Sequence, residues 1–298
     1  MSMTFPPLPD TTSLSPLKFL RKSVPRLRTE DIQAAFRTTR LDMSNFHLVH
    51  HRHVDGILAS AKNSGTHWLK YMLSHAIANQ YGVEPPEHSS GPAWDDIIGN
   101  PRVPPRYDHL PRITSTHTIP SRLITLPVAR RMVTIPPVVV LVRDIREALI
   151  SNYVKWQGLG HHGDATFAEF VRGDVSGKRY VADTWWYTRF HNHWGDIAAA
   201  FPSRVHIVRY EDLKRTPCET LGSVASHLGV PLSEASLDAG LKVGDRKTVR
   251  ARLDPCGRGD IVRDAEKNTD TKFSPESTNI LRHILSRHLK YDYGYDYF

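Results

Sequence analysis

Residues 61–68 read Ala-Lys-Asn-Ser-Gly-Thr-His-Trp and stand between two very different apolar patterns. Before them, Ile57, Leu58 and Ala59 form a continuous apolar run. After them, Leu69, Met72, Leu73, Ala76 and Ile77 recur at helical spacing. That change of period predicts a strand, a tight loop and a helix in succession. At such a junction the backbone amides of the loop converge on the positive end of the helix dipole, a geometry suited to a phosphate or a sulfate. The Gly-x-x-x-x-Gly-Lys-Ser/Thr run of nucleoside triphosphatases is missing. No lysine directly precedes Ser64 or Thr66, and a bulky Trp68 closes the loop.

Strands alternate with helices further along, which predicts one α/β domain with a central parallel sheet flanked by helices. Arg112 to Thr118 reads as a short strand, and the five aliphatics Val138 to Val142 read as a strand buried on both faces. Ile145, Ala148 and Leu149 begin a helix; Thr166–Val171 and Ala182–Trp194 are also helical. Arg204–Arg209 is a strand, followed by a turn and a helix over Glu219–His227 that Gly229 stops. Ser274-Pro275-Glu276 is a helix start, with Ser as the cap and Pro in the first turn. The Pro-rich passage Glu84–Arg106 reads as an excursion toward a substrate; Gly158–Gly163 and Asp254–Lys272 read as loops. Ligands of parallel sheets bind beyond the strands' carboxyl ends, where Lys62 would sit.

At 298 residues the chain can bury a full core, and no apolar run approaches the length of a membrane span. Only Cys218 and Cys256 are present, so a disulfide framework is not expected and a reducing cytoplasmic setting fits. The net charge of +8 implies anionic ligands. The basic residues are scattered and no nucleic-acid motif appears, so nucleic acid is not expected as a partner. Residues 1–30 read as a flexible arm, with Lys18, Arg21, Lys22, Arg26 and Arg28 interleaved with Leu17, Phe19, Leu20 and Leu27. Such an arm could touch an anionic membrane surface or an acidic substrate, or simply be a solvated, partly helical arm. Residues 31–298 form the domain proper.

Three further segments carry chemistry. Arg143 follows the Val138–Val142 strand and Ser151 lies two turns into the next helix; an Arg fork with a hydroxyl is a phosphate clamp. Tyr210-Glu211-Asp212-Leu213 follows another strand end, where an aromatic could border a base. His117 follows the Arg112 strand and precedes Pro120. Together these segments resemble the sulfotransferases that use 3′-phosphoadenosine 5′-phosphosulfate (PAPS). Lys62–Trp68 resembles their phosphosulfate loop, Pro-Lys-Ser-Gly-Thr-x-Trp. The stretch from Pro111 to Pro120 resembles the strand and turn that bear their catalytic histidine. Arg143 with Ser151 resembles their 3′-phosphate block, and Tyr210–Lys214 their Tyr-Glu-Asp-Leu/Met-Lys segment. The likeness runs from about residue 55 to the C-terminus.

The resemblance implies a P-loop-containing nucleotide-binding fold and a role for each matching residue. Lys62, Asn63, Ser64, Gly65, Thr66 and His67 would surround the phosphosulfate, and Trp68 would stack on the adenine. Arg143 and Ser151 would hold the 3′-phosphate, with Arg258 and Gly259 closing over it, while Tyr210 borders the adenine. His117 would accept the proton of an acceptor hydroxyl, and Lys62 would neutralise the leaving oxygen. No metal is implied. Sulfuryl transfer needs in-line positioning, donors aimed at developing charge, and a base with a pKa near ambient.

The chain also departs from the family pattern. When Ser64-Gly65-Thr66 is aligned, the family's Lys falls on Asn63 and Lys62 lies one residue early, so either the loop adjusts to return Lys62 or another cation serves. Ser115 and Thr116 stand where many relatives carry a second Lys, and Arg258-Gly259-Asp260 lacks the fuller Arg-Lys-Gly-x-x-Gly pattern. The acceptor is open. Trp94, Trp156, Trp185 and Trp186 could line an aromatic or lipid pocket, and a saccharide is equally compatible. The competing classes are an ATP-dependent small-molecule kinase and a non-catalytic polyanion-binding module.

Overall fold

The central strands are short, mostly aliphatic and buried, and the sheet they form is covered on both sides. The computed structural model describes Phe36, Arg40, Gly160 and residues 42–89, 95–157, 164–175, 179–245 and 273–297. Its elements in chain order are α1 (His47–His50), β1 (Gly56–Ser60), α2 (Thr66–Tyr81), β2 (Ile98–Gly99), β3 (Ile113–Thr116), α3 (Pro127–Met132), β4 (Val138–Val142) and α4 (Ile145–Gln157). Then come α5 (Phe167–Arg172), α6 (Thr184–Ala200), β5 (Val205–Arg209), α7 (Tyr210–Arg215), α8 (Pro217–His227), α9 (Glu234–Val243) and α10 (Pro275–His288). The sheet order is β2-β3-β1-β4-β5 and every pairing is parallel. The single α/β domain expected from the sequence is the fold observed.

Period-two alternation splits the core across the sheet. Ile57, Ala59, Val138, Val140 and Val142 face one side, against Leu149 of α4, Phe170 of α5, Phe190 and Trp194 of α6, and Leu285 of α10. Leu58, Val139 and Leu141 face the other side, against Leu69 and Leu73 of α2 and Leu221 and Val224 of α8. All five residues of β4 are fully buried. At about 1.5–3 kcal/mol for each large aliphatic removed from water, this strand alone anchors the sheet.

Several helix ends follow the local rules. Thr166 and Glu169 form a reciprocal capping box at α5, and Ser274 caps α10 through the Ser277 N–H with Pro275 at the first position. The structure corrects the reading elsewhere. Glu84–Arg106 holds the edge strand β2, two residues too short for any hydrophobic period to register. Tyr210 does not sit in a turn but starts α7, whose first turn carries Glu211 and Asp212 and whose last carries Lys214 and Arg215, as the helix dipole favours. The helices α3 and α9 had no periodic signal long enough to be recognised. Residues 1–30, Trp94, His161, His162, Arg258 and Gly259 lie outside the described residues.

Burial of titratable groups makes the fold acid-sensitive. His191 and His193 of α6 are buried, and desolvation lowers each from the ordinary 6.5 to about 4. A histidine depressed in the fold is protonated first in the unfolded chain. Its stabilisation is therefore complete above 6.5 and is lost as pH falls toward 4. His47 adds to this, lowered to about 4 by burial and by His51. Asp183, raised to about 6 by burial, acts in the opposite sense over the same window. The histidines outnumber it, so Tm is expected to drop steadily between neutrality and about pH 4.5, and His191→Gln should flatten that slope. A Tm constant across that range contradicts the assignment.

Candidate active site

Four neighbouring strands deliver the expected residues to one edge of the sheet, at their carboxyl ends. The loop 61–65 follows β1, His117 follows β3, Arg143 follows β4 and Tyr210 follows β5. The parallel register sets them side by side, because Ala59 pairs with Thr116, Ser60 with Leu141 and Val142 with Arg209. The chain leaves central β1 toward β3 on one side and later fills β4 and β5 on the other. The site therefore lies where strand order reverses.

The loop turns tightly. Asn63 and Gly65 both have positive φ, 57° and 87°, and the Ser64 N–H donates to Ala61 O at 3.3 Å. Gly65 has a second reason to lack a side chain, since a Cβ there would stand 2.5 Å from the Tyr210 ring. The first helical closure of α2 is Leu69 N–H to Gly65 O, so the amides of Thr66, His67 and Trp68 have no partner within the helix. Gly65, the N-cap, offers no side chain to them. Beside these amides the Ser64 hydroxyl is fully buried with no hydrogen-bond partner. Leaving such a group unsatisfied costs about 1–3 kcal/mol, which an anion at this helix end would offset.

Buried groups hold the loop from behind. Asn63 Nδ2 donates to Asn152 Oδ1 at 2.6 Å, and Asn152, fully buried, donates in turn to Ala182 O. Tyr187 OH donates to Lys62 O at 2.8 Å. Thr66 Oγ1 and Ser60 Oγ are 2.7 Å apart. None of Asn152, Tyr187 or Ser60 was anticipated from the sequence. Asn152 directly follows Ser151, the nearest available signal.

His117 is exposed at this edge of the sheet, yet protein atoms crowd it. Its Nδ1 lies 2.8 Å from Ser60 O, a carbonyl that can only accept, so Nδ1 carries the proton and Nε2 keeps its lone pair. Burial lowers its pKa, the Ser60 bond opposes that, and Lys62 and Lys155 lower it further. The ring is thus a neutral base. His67, its Nδ1 3.4 Å from Ser89 O, is lowered to about 4, chiefly by burial.

Lys62 points toward α6. Its Nζ donates to Val181 O at 3.3 Å and lies 5.6 Å from the centre of the Trp186 ring. Burial and Lys155 lower its pKa. Asn63, at the family's Lys position in the alignment, faces Asn152 instead. Trp185, by contrast, is turned to Arg172 O and the His288 ring.

Arg143 reaches back into the loop. Nη1 donates to Asn63 O at 3.1 Å, Nη2 pairs with Glu147 at 3.1 Å, and the guanidinium lies 4.7 Å from the centre of the Tyr210 ring. Its Nε is buried without a partner. Ser151 sits one turn beyond Glu147 on the same helix face. Trp68 meets Tyr210 edge-on at 5.8 Å and donates Nε1–H to Gly244 O at 2.7 Å. An aromatic corner therefore stands over Gly65, next to Arg143.

The C-terminal segment braces these strand ends from outside. Tyr297 OH accepts the Ile145 N–H at 2.9 Å, and Tyr295 OH donates to Glu211, whose other oxygen takes the Asp144 N–H. The residues following Arg143 and Tyr210 are thus tied to one strap. Its period-two tyrosines, Tyr291 to Tyr297, were visible in the sequence but had no assignable partner.

A parallel sheet with a tight strand–loop–helix junction at its switch point and a second Arg-bearing strand end beside it defines a P-loop type of α/β protein. Residues 53–243 match the sulfotransferase domain family, and the chain belongs to that family. It is 28% identical over 186 residues to cytosolic sulfotransferase 3 of Arabidopsis thaliana, a match covering 60% of this chain and 54% of that protein. The chain thus spans about half the length of that curated relative. Its fold is similar to mouse sulfotransferase SULT7A1 complexed with PAP, with a TM-score of 0.52 at 14% identity over 84% of this chain and 91% of that one. It is similar also to retinol dehydratase in a complex with retinol and PAP, with a TM-score of 0.52 at 16% identity over 91% and 97% of the two chains. Among the described residues, no three His, Cys, Asp or Glu side chains are gathered as a metal ion would need.

Proposed function

We propose that this protein transfers the sulfuryl group of PAPS to an acceptor hydroxyl, releasing 3′,5′-adenosine bisphosphate (PAP). The observation that carries the reading is the pairing of a neutral imidazole with an anion cradle. His117 is pinned to Ser60 O at the root of a loop that opens a helix and whose buried Ser64 hydroxyl has no hydrogen-bond partner. Family membership and the PAP complexes of SULT7A1 and retinol dehydratase support it.

When bound, PAPS supplies an activated sulfuryl group on a phosphate leaving group. The amides of Thr66, His67 and Trp68 and the Ser64 hydroxyl hold the phosphosulfate by charge-assisted bonds. His117 Nε2 takes the acceptor's proton. Lys62, with two N–H donors beyond the one used on Val181 O, neutralises the leaving oxygen. Trp68 and Tyr210 border the adenine, and Arg143, with Ser151, holds the 3′-phosphate. Arg258 and Gly259 are proposed to close over that phosphate. The acceptor is a small-molecule, lipid or saccharide hydroxyl; retinol and androsterone, seen in retinol dehydratase complexes, favour an apolar alcohol.

Retention on immobilised PAP with release by PAP but not by ATP is the expected outcome. Release governed by salt alone would instead identify a polyanion-binding module. The lysine register has its own test. Lys62→Ala should lower kcat on the order of 10²-fold, whereas Asn63→Ala should loosen the loop and act mainly on PAPS affinity. A larger kcat loss from Asn63→Ala would transfer the role away from Lys62.

A further inference from the structure

Away from this site, most of the large exposed apolar side chains of the described surface lie on two segments tied to each other. Leu126, Val128 and Met132 are 52%, 72% and 80% exposed, on and just before α3. Val128 and Met132, four apart, share a helix face. Met43 and Phe46, 42% and 36% exposed, belong to a segment tied to the same stretch. Ser121 Oγ donates to Met43 O at 2.7 Å, Ser121 N–H to Asn45 O at 2.8 Å, and Asn45 Nδ2 to Ile119 O at 2.9 Å. These five are the majority of the eight large apolar side chains exposed among the described residues.

The same stretch is strongly one-signed. No Asp or Glu occurs between Asp108 and Asp144, while Arg112, Arg122, Arg130, Arg131 and Arg143 do. Arg122 is paired with Asp196; Arg130 and Arg131 are exposed, with no carboxylate partner among the described residues. Apolar side chains at the tip of a short basic helix match the two layers of a lipid interface, with arginines at the headgroups and Val, Leu and Met below them.

We infer that the α3 lip, formed by Leu126, Val128, Met132, Arg130 and Arg131, docks on an anionic lipid bilayer surface. The charge selects this occupant. A second copy joined by a two-fold axis would set Arg130 and Arg131 against their own kind. The chain's own Lys18–Arg28 arm is basic as well. The lip continues directly from the His117 strand end through Ile119. Where the sulfuryl-transfer reading holds, docking brings the His117 end of the site toward hydroxyls dissolved in the membrane. The docking itself rests on no part of that reading.

Co-sedimentation of the full chain with vesicles tests it without any donor, so its failure is separate from failure on the PAP resin. The wild type should bind phosphatidylcholine–phosphatidylserine vesicles and not phosphatidylcholine alone. Arg130→Gln with Arg131→Gln should weaken binding on the order of tenfold or more, at about fivefold per basic residue. The triple variant Leu126→Ser, Val128→Ser, Met132→Ser should abolish binding, with Tm unchanged because all three side chains are exposed. A third variant, with Lys18, Arg21, Lys22, Arg26 and Arg28 changed to Gln, should keep most of it. The proposal is overturned if anionic vesicles are not bound, if neutral vesicles bind equally, or if the arm variant alone loses binding. Full binding by the lip variants, or loss of self-association as their only effect, overturns it too.

Discussion

His117→Ala is expected to lower kcat by roughly 10²- to 10⁴-fold, the range for losing a positioned general base, while Kd for PAP stays near the wild-type value. The division follows from the geometry. His117 touches the loop's root through Ser60, whose carbonyl oxygen is 2.8 Å and whose hydroxyl is 3.2 Å from Nδ1, so removing it leaves the amides of Thr66 to Trp68 in place. His117→Asn sharpens the test, because its amide can still donate to Ser60 O but offers no basic nitrogen. The pH–rate profile supplies a second readout. Burial, Lys62 and Lys155 hold His117 below the ordinary 6.5, so the neutral form persists to lower pH. The acidic limb of kcat should therefore lie below 6.5, with activity falling as pH drops through it. Turnover within a few-fold of wild type in either variant would move the base to another residue.

Arg143→Ala should weaken PAP binding by about 1.5–3 kcal/mol, the range for hydrogen bonds to charged groups. The guanidinium does three things in the structure: it ties Asn63 O, pairs with Glu147 and lies over Tyr210. Arg143→Lys separates charge from shape, since lysine keeps the positive charge but lacks the planar fork. If the fork matters, the Lys variant recovers only part of the affinity. Titration calorimetry with PAP, and with a nucleotide lacking the 3′-phosphate, measures this. The variant should lose its preference for the former, and an unchanged preference would remove Arg143 from the 3′-phosphate site. Glu147 gives a companion check: Glu147→Gln, which frees the fork from a competing carboxylate, should strengthen PAP binding.

The outline of the fold was legible where patterns are long or chemically distinctive. Val138–Val142 could be little else than a strand buried on both faces, and Ser274-Pro275 marked the start of α10 through capping chemistry that operates within one turn. The loop after β1 was legible because Gly and small polar residues interrupt two apolar periods. Elements held by partners far along the chain were not. β2 exists because Gly99 can pair with Thr114 on β3, and two residues carry no period of their own. Tyr295 and Tyr297 brace the strand ends through Glu211 and Ile145, contacts that span 84 and 152 positions.

The residue types that meet anions and protons are written in the chain locally: the Ser-Gly-Thr loop, a histidine after one strand, an arginine after another. Their chemistry is carried by the side chains and their local backbone. Tertiary structure alone decided their states and aims. The proton on His117 Nδ1 is placed by a carbonyl 57 positions away, Lys62 is drawn toward Val181 and Trp186, and Asn63 is held in its left-handed turn by Asn152. Hydrogen bonds act over about 3 Å, and only the register of the strands together with the packing of α4 and α6 brings these groups within that distance.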